Sequence, residues 1–588
     1  MTRDWYKRPL FVFLVFYVIL IIILTPFLLN EKKPQENICG YVISYPYKYG
    51  KLYNFYLKSQ KSYYLIKSDN SDFLLYDYIC FKAESIKKIE SKNDPIFAGW
   101  ERYLNRRNVF YEIKLRESVY IKKTNFIFEF SGKTRNKIKN ILKDKFSGDE
   151  IAVISGIFLG EKEEISKNFK DAVINAGAMH LLVASGSNVA YAVWIVSLFF
   201  GFFGFKSRFL KSVSFFVVLI YVFLIGFDPP ITRAFIMFST ALAVYAIKRN
   251  IDIFQILVFS AFLMITLDPL IIYDRGFLLS FLSVYGIVTG YRLYGKYFEL
   301  GKIIFVKNSV LNDILLFVSK KIISMILIAF FAQIAVIPVL IEAFHKVSLI
   351  SLFSNLFLIP ISAAIMAIVP VGVFLNEYAL ASDIIFYALK LLTKLFIKLS
   401  YLFSSLPYSF VYISFRNELN FVFVSVMIFV FLNLPIINIK SSLARSWIWF
   451  IVIGFVFSFM WRDKKFGVFE FENYSVKGYL VLKPQGAYLI NPAITAEKII
   501  SAAFDSGFDK IDAIMIGSGS AFRKKEIEKI KNVLKVERIY APLWKCSEDF
   551  ICVFAKDKAD IFEVKFKNDY GYFDDKTKLL FCDEDRCY

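Results

Sequence analysis

The alternation of apolar and polar positions divides this chain into stretches of different character. After a basic start, MTRDWYKR, an unbroken apolar run from Leu10 to Leu29 is long enough to cross a bilayer. It is too long for a signal-peptide core, and no A-x-A-like cleavage site follows. It therefore predicts a retained helix with its N-terminus in the cytoplasm. From residue 31 to about 146 the period becomes two. Apolar and polar residues alternate in GYVISYPYKYGKLYNFYLKS, KSYYLIKS and FLLYDYICFKAESI, which predicts about five short strands, enough for a small barrel of the OB type. The period then lengthens. KTRNKIKNILKDKF has apolar positions at helical spacing on a basic background. IAVISGIFLGE is apolar but too short to span, which predicts an interfacial or re-entrant helix.

Long apolar runs follow at roughly 187–205, 209–226, 231–247, 253–272, 277–293, 322–343, 349–375, 417–436 and 446–461, about ten spans with the first helix. Residues 382–405 are ambiguous. Lys390, Lys394 and Lys398 recur every fourth position, as the wall of a polyanion path or as a basic amphipathic helix on the membrane surface. That choice sets the side on which the C-terminus emerges. Beyond 462, strand-like runs alternate with helical ones: TAEKIISAAFDSGF reads as a helix, KIDAIMIGSGS as a strand and turn, AFRKKEIEKIKNVLKV as a helix and ERIYAP as a strand. The expected fold is a polytopic α-helical membrane protein with an N-terminal OB-like β-barrel domain and a C-terminal α/β domain. Its parts are a helix at 1–30, the barrel domain at 31–130, amphipathic or re-entrant helices at 131–186, a membrane bundle at 187–461 and a soluble domain at 462–588.

Composition agrees with a membrane chain. Hydrophobic residues make up 57% of 588 positions, and the mean hydropathy is +0.50. The net charge of +21 comes partly from the Lys and Arg that cytoplasmic loops collect. The remainder would attract a nucleic acid or anionic lipid, which charge alone does not separate. The basic loops at Lys206, Arg208 and Lys211, at Lys248 and Arg249, and at Arg292 and Lys296 set the orientation. They place His180, the turns at Asp228 and Asp274, and residues 31–146 on the outer side of a cell membrane.

The chemistry-bearing residues gather on that side. GAMHLLVASGSNV, residues 177–189, sets His180, Ser185, Gly186 and Asn188 at the mouth of an apolar run; small residues there also serve helix packing. Arg233 follows a Pro-Pro helix start and Arg275 opens the next outer helix, each a phosphate site or a border cation paired to Asp228 or Asp274. Tyr45, Tyr47, Lys48, Lys51 and Tyr53 crowd the early strands, as a stacking platform for single-stranded nucleic acid or as ordinary strand residues. Six cysteines fall as near-neighbour pairs, Cys39 with Cys80, Cys546 with Cys552 and Cys582 with Cys587. They are compatible with disulfides on an oxidising side, and their gaps are looser than usual zinc spacing. No G-x-x-x-x-G-K-[ST] motif is present, so the chain has no ATP site of that type.

These motifs together resemble the ComEC family, membrane channels that import single-stranded DNA during natural competence. That family's signature reads roughly H-L-L-A-x-S-G-x-H-V, and His180, Leu181, Leu182, Ala184, Ser185, Gly186 and Val189 follow it. Asn188 stands where the family usually has a second His. Asp94 to Leu115 is similar to the end of the family's OB-like domain. Arg233 fits its G-x-x-x-x-x-x-R-A segment, and Asp268, Pro269, Gly276, Phe277, Leu279, Ser280 and Phe281 fit the next. Gln333, Pro338, Phe344, Ser348, Asn355 and Pro360 fit a third. The C-terminal stretch resembles the metallo-β-lactamase-like domain of many members, but residues 517–525 hold no His or carboxylate where the metal motif belongs, and Asn491 replaces an Asp.

The resemblance implies a channel, not an enzyme, with no cofactor and no metal, in the inner or plasma membrane. His180, Ser185, Gly186, Asn188, Arg233, Arg275, Ser280, Gln333 and Asn355 would line the path of single-stranded DNA. An outer DNA receptor and a cytoplasmic ATP-driven translocase would be partners, beside membrane lipid. Two rival readings use the same residues: a membrane enzyme acting on a lipid or glycan with His180 as base and Ser185 as nucleophile, and a transporter of another anion.

Overall fold

The computed structural model describes, apart from short breaks, residues 9–90, 101–291, 310–433 and 464–540, and two short strands near the C-terminus. The chain divides into two compact units. The first holds residues 1–89, 102–413 and 424–451, and the second holds 90–101, 414–423 and 452–588.

The first unit opens with α1 (Pro9–Leu28), apolar along its whole length. Six strands follow: β1 (Asn37–Val42), β2 (Tyr47–Tyr49), β3 (Leu52–Ser59), β4 (Ser62–Ser68), β5 (Tyr78–Lys88) and β6 (Val109–Lys122). β1 pairs antiparallel with both β3 and β5; β3 pairs with β4, β4 runs parallel to β6, and β6 returns to β5. Five strands thus make a barrel-like sheet, and β2 is a hairpin arm on β3. The period-two alternation explains the packing. In β1 the inward Ile38 and Val42 are buried while Asn37, Cys39 and Tyr41 point out, and the interior is filled by Phe55, Leu57, Ile66, Ile79 and Ile113.

Helices then dominate: α2 (Phe126–Lys145), α3 (Asp149–Leu159), α4 (Lys167–Asn175), α5 (Gly186–Phe202), α6 (Ser207–Ile225), α7 (Pro229–Ala246), α8 (Ile253–Leu267), α9 (Arg275–Gly286) and α10 (Val310–Phe344). After the short β7 (Lys346–Ser348) come α11 (Ser351–Phe374), α12 (Ala379–Ser405), β8 (Phe410–Tyr412) and α13 (Glu418–Asn433). Among the described residues three helical stretches are long and apolar enough to cross a membrane: Ser207–Ile225, Ile322–Phe344 and Ser351–Glu377. Five shorter apolar helices accompany them, Leu10–Thr25, Gly186–Phe202, Ile253–Leu267, Arg275–Gly290 and Leu419–Asn433. The apolar runs are therefore helical where expected, and the run at 446–461 lies outside the described residues.

Two corrections concern α3 and α12. Every residue of α3 from Ile151 to Leu159 is buried, so α3 is not an interfacial helix, which would keep one face open. Its all-round apolar surface matches a helix wrapped by others. α12 does not lie apart on a surface. β7, just before α11, pairs antiparallel with β8, just after α12, through Lys346–Tyr412 and Ser348–Phe410. Phe357 meets Phe403, and a Cβ on Gly372 would touch Ile385 and Phe386. α11 and α12 are thus an antiparallel pair along their full lengths.

The second unit carries β9 (Gly467–Asn473), β10 (Val476–Lys483), β11 (Gly486–Ile490), α14 (Ala496–Asp505), β12 (Lys510–Met515), α15 (Lys524–Val533) and β13 (Lys535–Tyr540). The sheet order is β13-β12-β11-β10-β9, parallel from β11 to β13 where α14 and α15 cross over and antiparallel elsewhere. Glu526 in α15 accepts a hydrogen bond from the Ala496 N–H at the start of α14, 2.8 Å away and buried, which ties the two crossovers together.

Candidate functional site

The barrel and the residues singled out by sequence meet at one end of the helices. Thr25 at the end of α1 reaches the Tyr273 hydroxyl at 3.0 Å. Tyr45 of the barrel stacks on the Arg135 guanidinium, 4.5 Å from its ring centre. Its ring also lies where a side chain on Gly226 would stand, and Gly226 ends α6 at φ 91°. Arg135 is buried and donates to Leu224 O, to Leu159 O and to Glu161. It thereby collects the carbonyl ends of α6 and α3, where a helix favours a cation. Burial raises the Tyr45 pKa, against the pull of Arg135. Tyr45 is therefore a joint between barrel and helices, and its ring face is already taken.

The stretch around His180 is a sequence of caps and tight approaches. α4 ends at Asn175, Gly177 turns at φ 73° against the side chains of Ser348 and Ser351, and a 3-10 turn, Met179–Leu181, carries His180. Serines from β7 and the start of α11 fasten this segment: Ser348 Oγ donates to Asn175 O at 2.8 Å and Ser354 Oγ to Ala176 O at 2.6 Å. Gln333 of α10 completes the join, donating to Ser348 O and accepting from Ser351 Oγ, both at 2.6 Å. His180 itself is exposed. Even so, desolvation by the surrounding protein lowers its pKa below the ordinary histidine value, opposed by a hydrogen bond with the Gly177 backbone.

Asn188 does not share the exposure of His180. It is buried, and its amide donates to Ile157 O at 2.7 Å and to the Tyr221 hydroxyl at 3.3 Å, so it clamps α5 to α3 and α6. Its place as an entrance residue is corrected to that of a clamp. Ser185 precedes α5 and its hydroxyl is shared with Ser187 at 2.5 Å and Asn188 at 3.4 Å. Gly186 lets α5 start 3.4 Å from the Ala234 side chain, as a Cβ there would measure it.

Asp274 is the hub of the neighbouring turn. Its Oδ1 caps α9 by accepting from Phe277 N at 2.7 Å and lies 3.7 Å from Arg233; its Oδ2 takes Arg107, from the segment before β6. Arg233 is 2% exposed. This corrects the phosphate reading of Arg233, whose charge serves the internal pair. Arg275 is half-buried and donates to Ala343 O at 3.4 Å. Ser280 is half-buried on α9. The Oδ1 atoms of Asn355 and Asn175 are buried without a hydrogen-bond partner.

On the barrel, register assembles a group that residue spacing did not single out. Tyr78 of β5 pairs with Tyr41 of β1, Tyr41 with Lys58 of β3, and Lys58 with Tyr63 of β4. The four stand in one outward row across four strands. Tyr41 is 51% exposed, its ring 4.9 Å from Tyr78, and the Lys58 ammonium is 5.6 Å from the Tyr63 ring. The Cys39–Cys80 disulfide lies beside the row, in register two residues away. The outward alternation of β1 was the available signal. Of the expected platform, Lys48 pairs with Tyr53 and Tyr47 with Asn54 in the β2–β3 hairpin, while Lys51 lies outside the described residues. Cys582 and Cys587 face each other across two two-residue strands, β14 (Cys582–Asp583) and β15 (Arg586–Cys587); Cys546 and Cys552 lie outside the described residues. So do residues 516–523, where the metal motif of the resembled domain would fall.

Residues 157–438 match the family model described as Competence protein. Over these residues, just under half of the chain, it is similar to the Competence protein family. That match supports a role in competence and DNA uptake, and the apolar helices support a membrane protein. The matched span contains His180, Ser185, Asn188, Arg233, Arg275, Ser280, Gln333 and Asn355, and it excludes the barrel and, apart from residues 414–423, the second unit. No curated protein matches the chain, and no solved structure does.

Proposed function

We propose that this chain passes single-stranded DNA through the inner or plasma membrane into the cytoplasm, its helices crossing the membrane many times. The observation that carries this reading is that the motif residues of the matched span, His180, Ser185, Arg233 and Ser348 among them, sit at helix ends and turns on the side where the barrel is joined through Tyr45 and Arg107. The barrel, of OB type by its strand order and its parallel β4–β6 pair, receives the strand. Bases stack on Tyr41, Tyr78 and Tyr63 while Lys58 meets a phosphate, the combination that single-strand binders use. An outer receptor delivers the DNA, and a separate ATP-driven motor on the cytoplasmic side draws it in. The second unit has no histidine. Together with its α/β order this supports a metallo-β-lactamase-like domain that has lost its metal chemistry.

The rival enzyme reading needs Ser185 activated by His180. The Ser185 hydroxyl is instead engaged by Ser187 and Asn188, which counts against it. Binding of a fluorescent single-stranded oligonucleotide to the purified chain tests the proposal. Expected are preference over a duplex of equal length and an affinity falling with salt at a log–log slope of about −0.7 per phosphate contacted. Equal binding of duplex, or a flat salt response, would sink it in favour of transport of another anion.

A further inference from the structure

α12 has three faces. Phe386, Leu389, Thr393 and Phe396 are buried against the neighbouring helices. One flank, with Ile384, Leu391 and Leu395, is apolar and exposed, as lipid requires. The other flank bears Lys390, Lys394 and Lys398, with Lys394 and Lys398 exposed. The antiparallel pairing with α11 fixes their depth. Since Phe357 meets Phe403 and Gly372 meets Phe386, the lysines stand level with the middle of α11, itself one of the stretches long and apolar enough to span. Lysines at mid-depth face a bundle interior or water, not hydrocarbon.

Resting on the channel reading above, we infer that the lysine flank of α12 is one wall of a hydrated groove along which the phosphodiester backbone of the strand runs. Successive lysines are one helical turn apart, a rise of about 6 Å, on the scale of successive phosphates in an extended strand. Lys390 and Lys398 have no acidic partner among the described residues, and the pairing of Lys394 with Glu150 is long, at 4.0 Å. A single small anion is held by donors that converge on a point. A row at one-turn intervals instead lets a polymer of charge move from one cation to the next. α2 is tied to the start of the same helix by Lys145, which bonds Asp383 at 3.1 Å. Mid-depth placement also separates this row from lipid headgroups, which lie at the membrane border.

The test uses the full chain in lipid nanodiscs with Lys394→Cys or, on the apolar flank, Leu395→Cys. A charged, membrane-impermeant maleimide is expected to label Lys394→Cys at least tenfold faster, and a single-stranded oligonucleotide to slow that labelling at least fivefold. Equal, slow labelling at both positions overturns the hydrated groove. Protection by anionic lipid in the disc and not by the oligonucleotide assigns the row to lipid and overturns the track. If the oligonucleotide binds the chain yet leaves Lys394→Cys labelling unchanged, the inference fails while the channel reading stands. If the oligonucleotide does not bind at all, the channel reading itself has failed.

Discussion

The Asp274 carboxylate serves two guanidinium groups and a helix N-terminus, so its removal takes away the cap of α9 and the ion pairs to Arg233 and Arg107 at once. Asp274→Ala is expected to destabilise the chain by about 3–5 kcal/mol, read as a drop in thermal midpoint with no change in the spacing-dependent chemistry of the barrel. An unchanged midpoint would contradict the hub. Sequence brought Arg233 and Asp274 forward as a pairing; Arg107 was invisible, because it arrives from the barrel segment through the tertiary fold. The tyrosines divide in the same way. Tyr41→Ala is expected to weaken oligonucleotide binding by about 1–3 kcal/mol at constant stability, since the ring stands in solvent. Tyr45→Ala is expected to lower stability, because it uncovers Arg135. The reverse pattern would dismiss the row across β5, β1, β3 and β4. His180 supplies a pH signature. Its folded pKa lies below that of the unfolded chain, so the unfolded state takes the proton first, and the contribution present above about pH 6.5 is lost as pH falls below it. Between neutral and mildly acid pH the native chain should lose more thermal stability than His180→Gln; parallel losses would mean that the ring is not desolvated.

Among the elements, those built on one dominant period were readable. Period-two runs became the barrel strands, and the apolar runs at 209–226 and 349–375 became α6 and α11. What stayed hidden was how short or mixed helices are used. α3 is apolar on all sides, and composition alone cannot tell an interfacial helix from one wrapped by α2, α5, α11 and α12. α12 mixes Leu and Lys, and its path was decided only by the β7–β8 pairing, a contact between strands of three residues each. Energetics agree with the groove assignment. One ammonium at the hydrocarbon centre costs about 2.5–3.5 kcal/mol on the insertion scale. Three facing lipid would cost about 10 kcal/mol, comparable to the whole stability of a domain.

For the molecule as a whole, the disulfide reports sidedness. Cys39 and Cys80 close a loop of 41 residues across β1 and β5, worth about 4 kcal/mol in the chain-entropy account, and such bonds persist only on an oxidising side. Intact cells treated with an impermeant maleimide should show these two thiols unreactive until a reductant is added outside. Thiols that stay unlabelled even after an impermeant reductant is added outside would place the barrel on the cytoplasmic side and overturn the orientation. The basic loops carry the same expectation of orientation, whereas the meeting of barrel and helices at Arg135, Tyr45 and Asp274 was not legible in the sequence, because each partner comes from a distant part of the chain. The central claim is import, and uptake of labelled DNA into a DNase-protected cytoplasmic pool measures it directly, in otherwise identical competent cells with and without the gene. The account predicts that deletion abolishes protected label while surface-bound DNA remains. Unchanged protected label in the deletion strain would contradict it.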